Sequence, residues 1–429
     1  MSVSADLRFA PSLRAFASPR YLIVLAFVAL ACGVLGAGFT VVIRGVERLA
    51  FGFTTGTLAE AITGVEPLHR FLAIAIGGVG VAVAWYGLRR FGPRIPSVDE
   101  IAQGARVAPL WMLADTVLQV INVGVGASIG REGAPRQAGA LTGALGAERL
   151  GLPVDMRRVL VACGAGAGLA AIYNVPFGGA FFALEVVLGL GLVARARSAA
   201  VGIVGSTIAC AWIATIIARV AVPDRPTYTL DHETWDATLL MFAALAGPPL
   251  GVAGYGFGSI VERARRHAAQ GGQILWGMPI GYVLLGLLAI PFPLILGNGH
   301  AMAQNLFAAT VPLGMVVALA IAKPVATLVT ILTGATGGRL TPSLATGAAM
   351  GLVLAALTGG VLPILPASAA MLGAAAFLAG ATRAPLAAGI LAIEFTGGTS
   401  IWVAVAIVVG SAWAVTTAME RRRGTPVGS

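Results

Sequence analysis

What most restricts this chain is a stretch such as YLIVLAFVALACGVLGAGFTVVI, Tyr21 to Ile43, which no charged side chain interrupts. Wound as an α-helix, it is long enough to cross the roughly 30 Å of hydrocarbon in a bilayer. Comparable runs recur to about Ala418, and 58% of the 429 residues are hydrophobic against 11% charged. Soluble domains carry roughly 25% charged residues, so a soluble globular fold is excluded. Inside a bilayer the backbone must satisfy its own polar groups, which leaves helices or a closed barrel. A barrel would show segments of about ten residues with alternating polarity, and none is found here. The composition therefore predicts an all-α integral membrane protein.

The net charge of +10 reports topology. Arg8, Arg14 and Arg20 precede the first span, Arg421, Arg422 and Arg423 follow the last, and VERARRHAAQGG (Val261 to Gly272) is basic. PDRPTYTLDHETWD, Pro223 to Asp236, is acidic. Positive residues stay on the cytoplasmic side, which predicts a multi-pass protein of the inner (plasma) membrane with both termini in the cytoplasm and the acidic loop outside. The arginines flank spans instead of forming one patch, so nucleic acid is not a partner; the lipid bilayer is. Cys32, Cys163 and Cys210 lie in apolar runs without metal-ligand spacing and read as buried, inert thiols. No metal and no cofactor is called for. His69, His232 and His267 lie near polar boundaries and read as interfacial. No cleavable signal is expected, because the first apolar run is a full span.

The chain repeats itself. NVPFGGAFFALE (Asn174 to Glu185) matches RAPLAAGILAIE (Arg383 to Glu394), with Pro176 and Pro385, and Glu185 and Glu394, each 209 positions apart. GAGAGLAAIYNVP matches GAAAFLAGATRAP at the same spacing, and GREGA (Gly130 to Ala134) matches GRLTP (Gly338 to Pro342) at 208. One such match means little in an Ala/Gly-rich chain; several at one offset indicate a duplication, with halves at about 21–222 and 237–418. Duplicated membrane halves with Gly/Pro-interrupted segments at matching positions point to a transporter whose site lies where the repeats meet.

The interrupted segments carry the chemistry. The first N–H groups of a helix lack intrahelical acceptors, and its dipole puts partial positive charge there. Such helix starts bind anions with few formal charges, and glycine lets the backbone approach the ion. Three segments fit: FGPRIPSVDE (Phe91 to Glu100), GREGAPRQAG (Gly130 to Gly139) and GGRLTPSLATG (Gly337 to Gly347). Each places glycine before a proline, which is favoured near a helix start.

These segments resemble the three anion-site signatures of the chloride-channel (CLC) family of anion channels and proton-coupled antiporters, GSGIP, GREGP and GxFxP, in order. Here they read GPRIP (Gly92, Pro93, Arg94, Ile95, Pro96), GREGA (Gly130, Arg131, Glu132, Gly133, Ala134) and GRLTP (Gly338, Arg339, Leu340, Thr341, Pro342). The resemblance covers about residues 20–418. It implies 16–18 tilted helices in two inverted repeat halves forming a single transmembrane domain, with broken helices at a midplane anion site. It also implies a homodimer with a pore in each subunit, halide and protons as the transported species, and no enzymatic activity. Glu132 aligns with the family's gating glutamate. A midplane carboxylate costs roughly 2.5–3.5 kcal/mol on insertion scales, and a carboxylate in an anion site competes with the anion until a proton neutralises it. The alternative for Glu132 is a salt bridge to Arg131 or Arg136. Arg131 reads mainly as a structural neighbour, and Arg136 has no assigned role.

The pattern also departs from the family. The first-signature serine, which gives chloride a hydroxyl, is replaced by Pro93, with Arg94 beside it. The family's second hydroxyl comes from a tyrosine on a last helix, and here no tyrosine follows Tyr282. Thr341 is either a replacement hydroxyl or an ordinary helix-capping threonine, and Arg339 either a pore cation or a surface arginine. The relay glutamate of typical antiporters falls at Val186, which carries no proton; Glu185 and Glu394 read as structural. These departures resemble the family's fluoride-exporting branch, so fluoride is favoured over chloride and proton-coupled antiport over a passive voltage-gated-type chloride channel. Only six residues follow Arg423, so no soluble regulatory domain is expected. Two readings from other classes stand beside this one. An intramembrane serine hydrolase would use Ser128 of GASIG and His300, and a cation-coupled carrier for an organic solute would need a larger polar cavity.

Overall fold

A computed structural model describes residues 9, 11–228 and 234–422. Arg8, His232, Arg423 and positions 229–233 of the acidic stretch lie outside the described residues. Among the described residues there is no strand, and seventeen α-helices have five residues or more, within the expected 16–18. They are α1 (Pro19–Phe51), α2 (Pro67–Phe91), α3 (Val98–Ala102), α4 (Pro109–Gly124), α5 (Gly133–Arg149) and α6 (Val154–Tyr173). Next come α7 (Pro176–Phe182), α8 (Leu190–Arg195), α9 (Ala200–Ala218), α10 (Ala237–Arg266), α11 (Ile274–Ala289) and α12 (His300–Phe307). The last are α13 (Leu313–Leu332), α14 (Leu340–Leu357), α15 (Pro366–Thr382), α16 (Pro385–Thr396) and α17 (Trp402–Arg422). Nine helical segments among the described residues are long and apolar enough to cross a membrane.

The helices pack as two units. One comprises Met1–Val41, Gly92–Val117 and Glu132–Arg225; the other comprises Val42–Phe91, Leu118–Arg131 and Pro226–Ser429. Each has an innermost helix. In the first unit every residue of α6 from Val159 to Tyr173 is buried, and in the second every residue of α15 from Ser368 to Ala381. A helix apolar on all sides belongs in an interior. Alanine and glycine dominate both, because without a hydrophobic drive between helices in lipid, association depends on close backbone contact.

The sequence repeat is visible in local geometry. Helix α6 ends on Asn174 and α15 on Arg383, both left-handed at φ 56° and 57°. Each is followed by one residue of near-identical backbone (Val175 at φ −128°, ψ 70°; Ala384 at φ −129°, ψ 77°) and then by a proline that opens the next helix. A left-handed C-cap followed by N-terminal proline turns the chain sharply. The helix crossings repeat as well. In the first unit a Cβ on Gly139 would fall on the Gly164 carbonyl, one on Gly164 on the Gly139 carbonyl, and one on Gly143 on the Leu160 carbonyl. In the second unit Gly347 and Gly373 block each other in the same way, and Gly351 meets the Ala369 carbonyl. Gly139 and Gly347, and Gly143 and Gly351, stand 208 positions apart; Gly164 and Gly373 stand 209 apart. The α5/α6 crossing and the α14/α15 crossing are thus one contact built twice.

Backbone against backbone leaves nothing to yield. Gly139→Ala and Gly347→Ala are therefore each expected to cost at least the roughly 1–3 kcal/mol of overpacking and to reduce the monodisperse fraction in size-exclusion chromatography. Gly38→Ala, whose added Cβ meets nothing within 4 Å, should elute like the parent. Equal profiles for all three would overturn the close-crossing account.

Candidate functional site

In the second unit the two repeat-related glycines pair with each other. Gly130 donates its N–H to the Gly338 carbonyl at 2.8 Å and accepts from the Gly338 N–H at 2.9 Å, the one isolated bridge among the described residues. The bridge gives two non-helical segments a partner where water is scarce. Around it the backbone is anchored by arginines. Arg265 donates to the Gly337 carbonyl at 2.9 Å, and Arg89 to the Gly334 carbonyl and the Thr336 hydroxyl, each at 2.9 Å. Helix α14 starts directly after the bridge, capped by Arg339 without a side-chain cap bond. Leu340, Thr341, Pro342 and Ser343 are all buried there, and the Ser343 hydroxyl donates back to the Arg339 carbonyl at 2.7 Å. The Arg339 guanidinium is ion-paired with Glu262 of α10. Arg131 shares its electrostatic surroundings with Glu47 and Arg44 of α1.

Behind Gly130 lies a second polar cluster. Lys323 of α13, fully buried, donates to the Ser128 hydroxyl at 2.9 Å and to the Ile295 and Gly297 carbonyls at 2.7 and 2.9 Å. An ammonium has three donors, and these contacts use all three. The Ser128 hydroxyl in turn donates to the Ile295 carbonyl at 2.9 Å, so it is a structural link and not the nucleophile of the serine-hydrolase reading.

In the first unit Glu132 is the N-cap residue of α5 and is completely buried. Its carboxylate does not cap its own helix. Instead the Tyr173 hydroxyl, at the end of α6, donates to Oε2 at 3.2 Å. Arg136 takes the Glu132 backbone carbonyl through Nε at 2.9 Å and lies 5.0 Å over the Phe182 ring. Gly133 and Ala134 follow at the helix start, where first-turn N–H groups have no intrahelical acceptor.

The first signature is arranged differently. Pro96 is buried, Gly92 and Ile95 are half-buried, and Pro93 and Arg94 are exposed. Arg94, its side chain 80% exposed, pairs with Glu100 at 2.7 Å. Ser97 and Glu100 form a capping box at the start of α3: Ser97 N–H donates to Glu100 Oε2 at 2.8 Å and Glu100 N–H to the Ser97 hydroxyl at 3.3 Å. The Ser97 amide, and then Arg94, hold the Glu100 carboxyl below the usual carboxylate range. A carboxylate from the chain itself thus occupies the donors at this helix start. Val186 is 39% exposed, and Glu185 is half-buried in a π-helical turn, Ala183–Leu188.

Sequence reasoning passed over Tyr173, Lys323, Arg89 and Arg265. A lysine alone in the apolar run AIAKPVAT is itself a signal, because intramembrane charge is kept for a reason. The Ser97-x-x-Glu100 spacing is a capping-box signature that accounts for Glu100, and through it for Arg94. Nothing local marks Tyr173, whose partner is 41 residues away.

A family model described as voltage gated chloride channel matches residues 77–417. A voltage-gated ClC-type chloride channel, ClcB, of Citrobacter koseri is 25% identical over 394 residues, 88% of this chain and 91% of that protein. A putative chloride channel protein, ClcB-like, of Ralstonia nicotianae is 33% identical over 298 residues, 66% of each chain. Among solved structures, the X-ray crystal structure of a slow cyanobacterial Cl-/H+ antiporter superposes with a TM-score of 0.79 at 25% identity, covering 96% of both chains. The crystal structure of a CLC-type fluoride/proton antiporter superposes with a TM-score of 0.69 at 22% identity, covering 92% of this chain and 96% of that one. The latter likeness concerns the fold alone.

Lys323→Met removes the ammonium from the Ser128 hydroxyl and the Gly297 carbonyl, and one of the two donors from the Ile295 carbonyl, which keeps Ser128. At about 1–3 kcal/mol for each buried group left unsatisfied, a clear fall in thermal midpoint in detergent is expected. An unchanged midpoint would show that these acceptors have other donors.

Proposed function

The chain belongs to the voltage-gated chloride channel family, and we propose that it is a proton-coupled halide antiporter in which Glu132 is both gate and proton carrier, with fluoride the preferred anion. CLC-type transmembrane anion transport follows from the family itself; the coupling, the gate and the choice of ion are the proposal. The observation that carries it is the Glu132 carboxylate, fully buried on the N-cap of α5, leaving its own helix uncapped and held by a hydroxyl from α6. Burying a carboxylate this way is costly unless the charge is used. An ionised Glu132 occupies donors suited to an anion, and a protonated one gives them up. Exchange of anion against proton follows from that competition.

Anion contacts are assigned, in each unit by itself, to backbone groups and neutral side chains. On the first unit these are the start of α5 at Gly133 and the Gly92–Pro96 segment with Pro93, Ile95 and Pro96. On the second they are Gly130, Arg131 and the start of α14 at Leu340 and Thr341. Arg94 and Arg339 contribute through their backbones, since their guanidinium groups are engaged by Glu100 and Glu262. Fluoride is supported by the loss of the serine hydroxyl at Pro93, by Val186 in the place of a relay glutamate, and by Thr341, buried in the first turn of α14. The second reading is a chloride/proton antiporter, favoured by the names of the chloride-channel relatives and by the 0.79 superposition on a Cl-/H+ antiporter. Membership of a homodimer and placement in the inner membrane with both termini cytoplasmic complete the proposal.

The protein reconstituted in liposomes should release fluoride faster than chloride while taking up protons. In Glu132→Gln, proton uptake should fall to the level of empty vesicles while anion flux persists. Halide flux without proton movement in the parent would make the protein a channel. Chloride efflux equal to or faster than fluoride efflux would select the second reading. Unchanged coupling in Glu132→Gln would remove Glu132 from the gate.

A further inference from the structure

Tyr173 is the last residue of α6, and its side chain is buried to 2% exposure. The helix ends there because Asn174 turns left-handed and Pro176 opens the next helix. This stop fixes where the ring is held, and the hydroxyl donates to Glu132 Oε2 at 3.2 Å. The carboxylate oxygen therefore marks a point that is within reach of a neutral O–H donor and belongs to the N-cap of α5, where partial positive charge favours an anion. An anion replacing that oxygen would meet the same donor.

We infer that Tyr173 is a ligand of the transported anion: its hydroxyl holds the ionised Glu132 carboxylate and passes to the halide once that carboxylate is protonated and gives up its place. The inference rests on the gating role proposed for Glu132. Apart from Thr341, which belongs to the second unit, the donor has no rival among the hydroxyls placed so far. Pro93 has none to offer, the Ser97 hydroxyl serves the α3 capping box, and Ser128 is spent on the Ile295 carbonyl. The cations on neighbouring elements have other tasks: Arg136 binds the Glu132 carbonyl, and Arg219 binds Asp224 and Asn174. Tyr173 thus supplies the kind of group that the first signature lacks, from a helix outside all three signatures. No bond is made or broken in this exchange; the phenol keeps its proton and changes acceptor.

The test uses the full chain purified in detergent and isothermal titration with potassium fluoride and potassium chloride. Glu132→Gln serves as the background, because a neutral amide imitates the protonated gate and leaves the hydroxyl to the anion. Adding Tyr173→Phe, which removes one oxygen, should weaken binding of the transported halide about tenfold, in keeping with the loss of a hydrogen bond to a charged group. Affinities equal within twofold would overturn the inference. If the Phe variant fails to elute as a folded species, Tyr173→Leu carries the same comparison. Weakened binding together with proton coupling that survives Glu132→Gln would sink the gate and keep the ligand. Coupling lost with Glu132→Gln but affinity unmoved by Tyr173→Phe would keep the gate and sink the ligand.

Discussion

The structure depends on one constraint: in hydrocarbon, a backbone polar group that leaves a helix must find another partner inside the protein. The Gly130–Gly338 bridge is the plainest response. Two segments leave helical geometry at repeat-related positions and exchange both of their hydrogen bonds with each other. Arg265 and Arg89 hold the carbonyls just upstream of Gly338, and Lys323 holds those of Ile295 and Gly297. With these groups accounted for, irregular backbone is tolerated within the second unit, and α14 can begin directly after the bridge.

The same constraint explains where formal charge is placed. Arg339 and Arg94, which stand inside signature segments, are neutralised by Glu262 and Glu100. Lys323 is surrounded by oxygens. In the proposed site an anion is left to helix starts and hydroxyls, whose partial charges can bind an ion without trapping it. A bare guanidinium in their place would bind a small halide strongly and release it slowly.

Much of this was legible in the sequence, for identifiable reasons. Spans are readable because the bilayer imposes a length and a composition. The repeat is readable because proline and glycine mark the ends and crossings of helices, so that PFGG and PLAA recur at an offset of 209 and Gly139 and Gly347 at 208. Glu132 is readable because charge in an apolar chain is rare. The sequence left Arg339 open between a pore cation and a surface arginine, since its partner lies 77 residues away and no local spacing announces it. Tyr173 escaped for the same reason: its hydrogen bond to Glu132 joins α6 to α5, and an aromatic residue in an apolar helix looks like core. The first signature is legible in two ways. Position in the chain marks Gly92–Pro96 as an anion segment, and the Ser97-x-x-Glu100 spacing marks the capping box that follows it and places an internal carboxylate at the start of α3.

The glycine crossings described for α5 with α6 and for α14 with α15 have a mechanical consequence. A helix whose carbonyl rests in the hollow of a facing glycine cannot slide or roll by a fraction of a turn without driving backbone into backbone. The two helices that begin at Gly133 and Leu340 are therefore stiff relative to the partners they cross. At the starts of these two helices, motion is left to parts smaller than a helix, such as a side chain changing rotamer or a hydroxyl turning from one acceptor to another. Such light parts can turn and return without any rearrangement of the crossings that hold them.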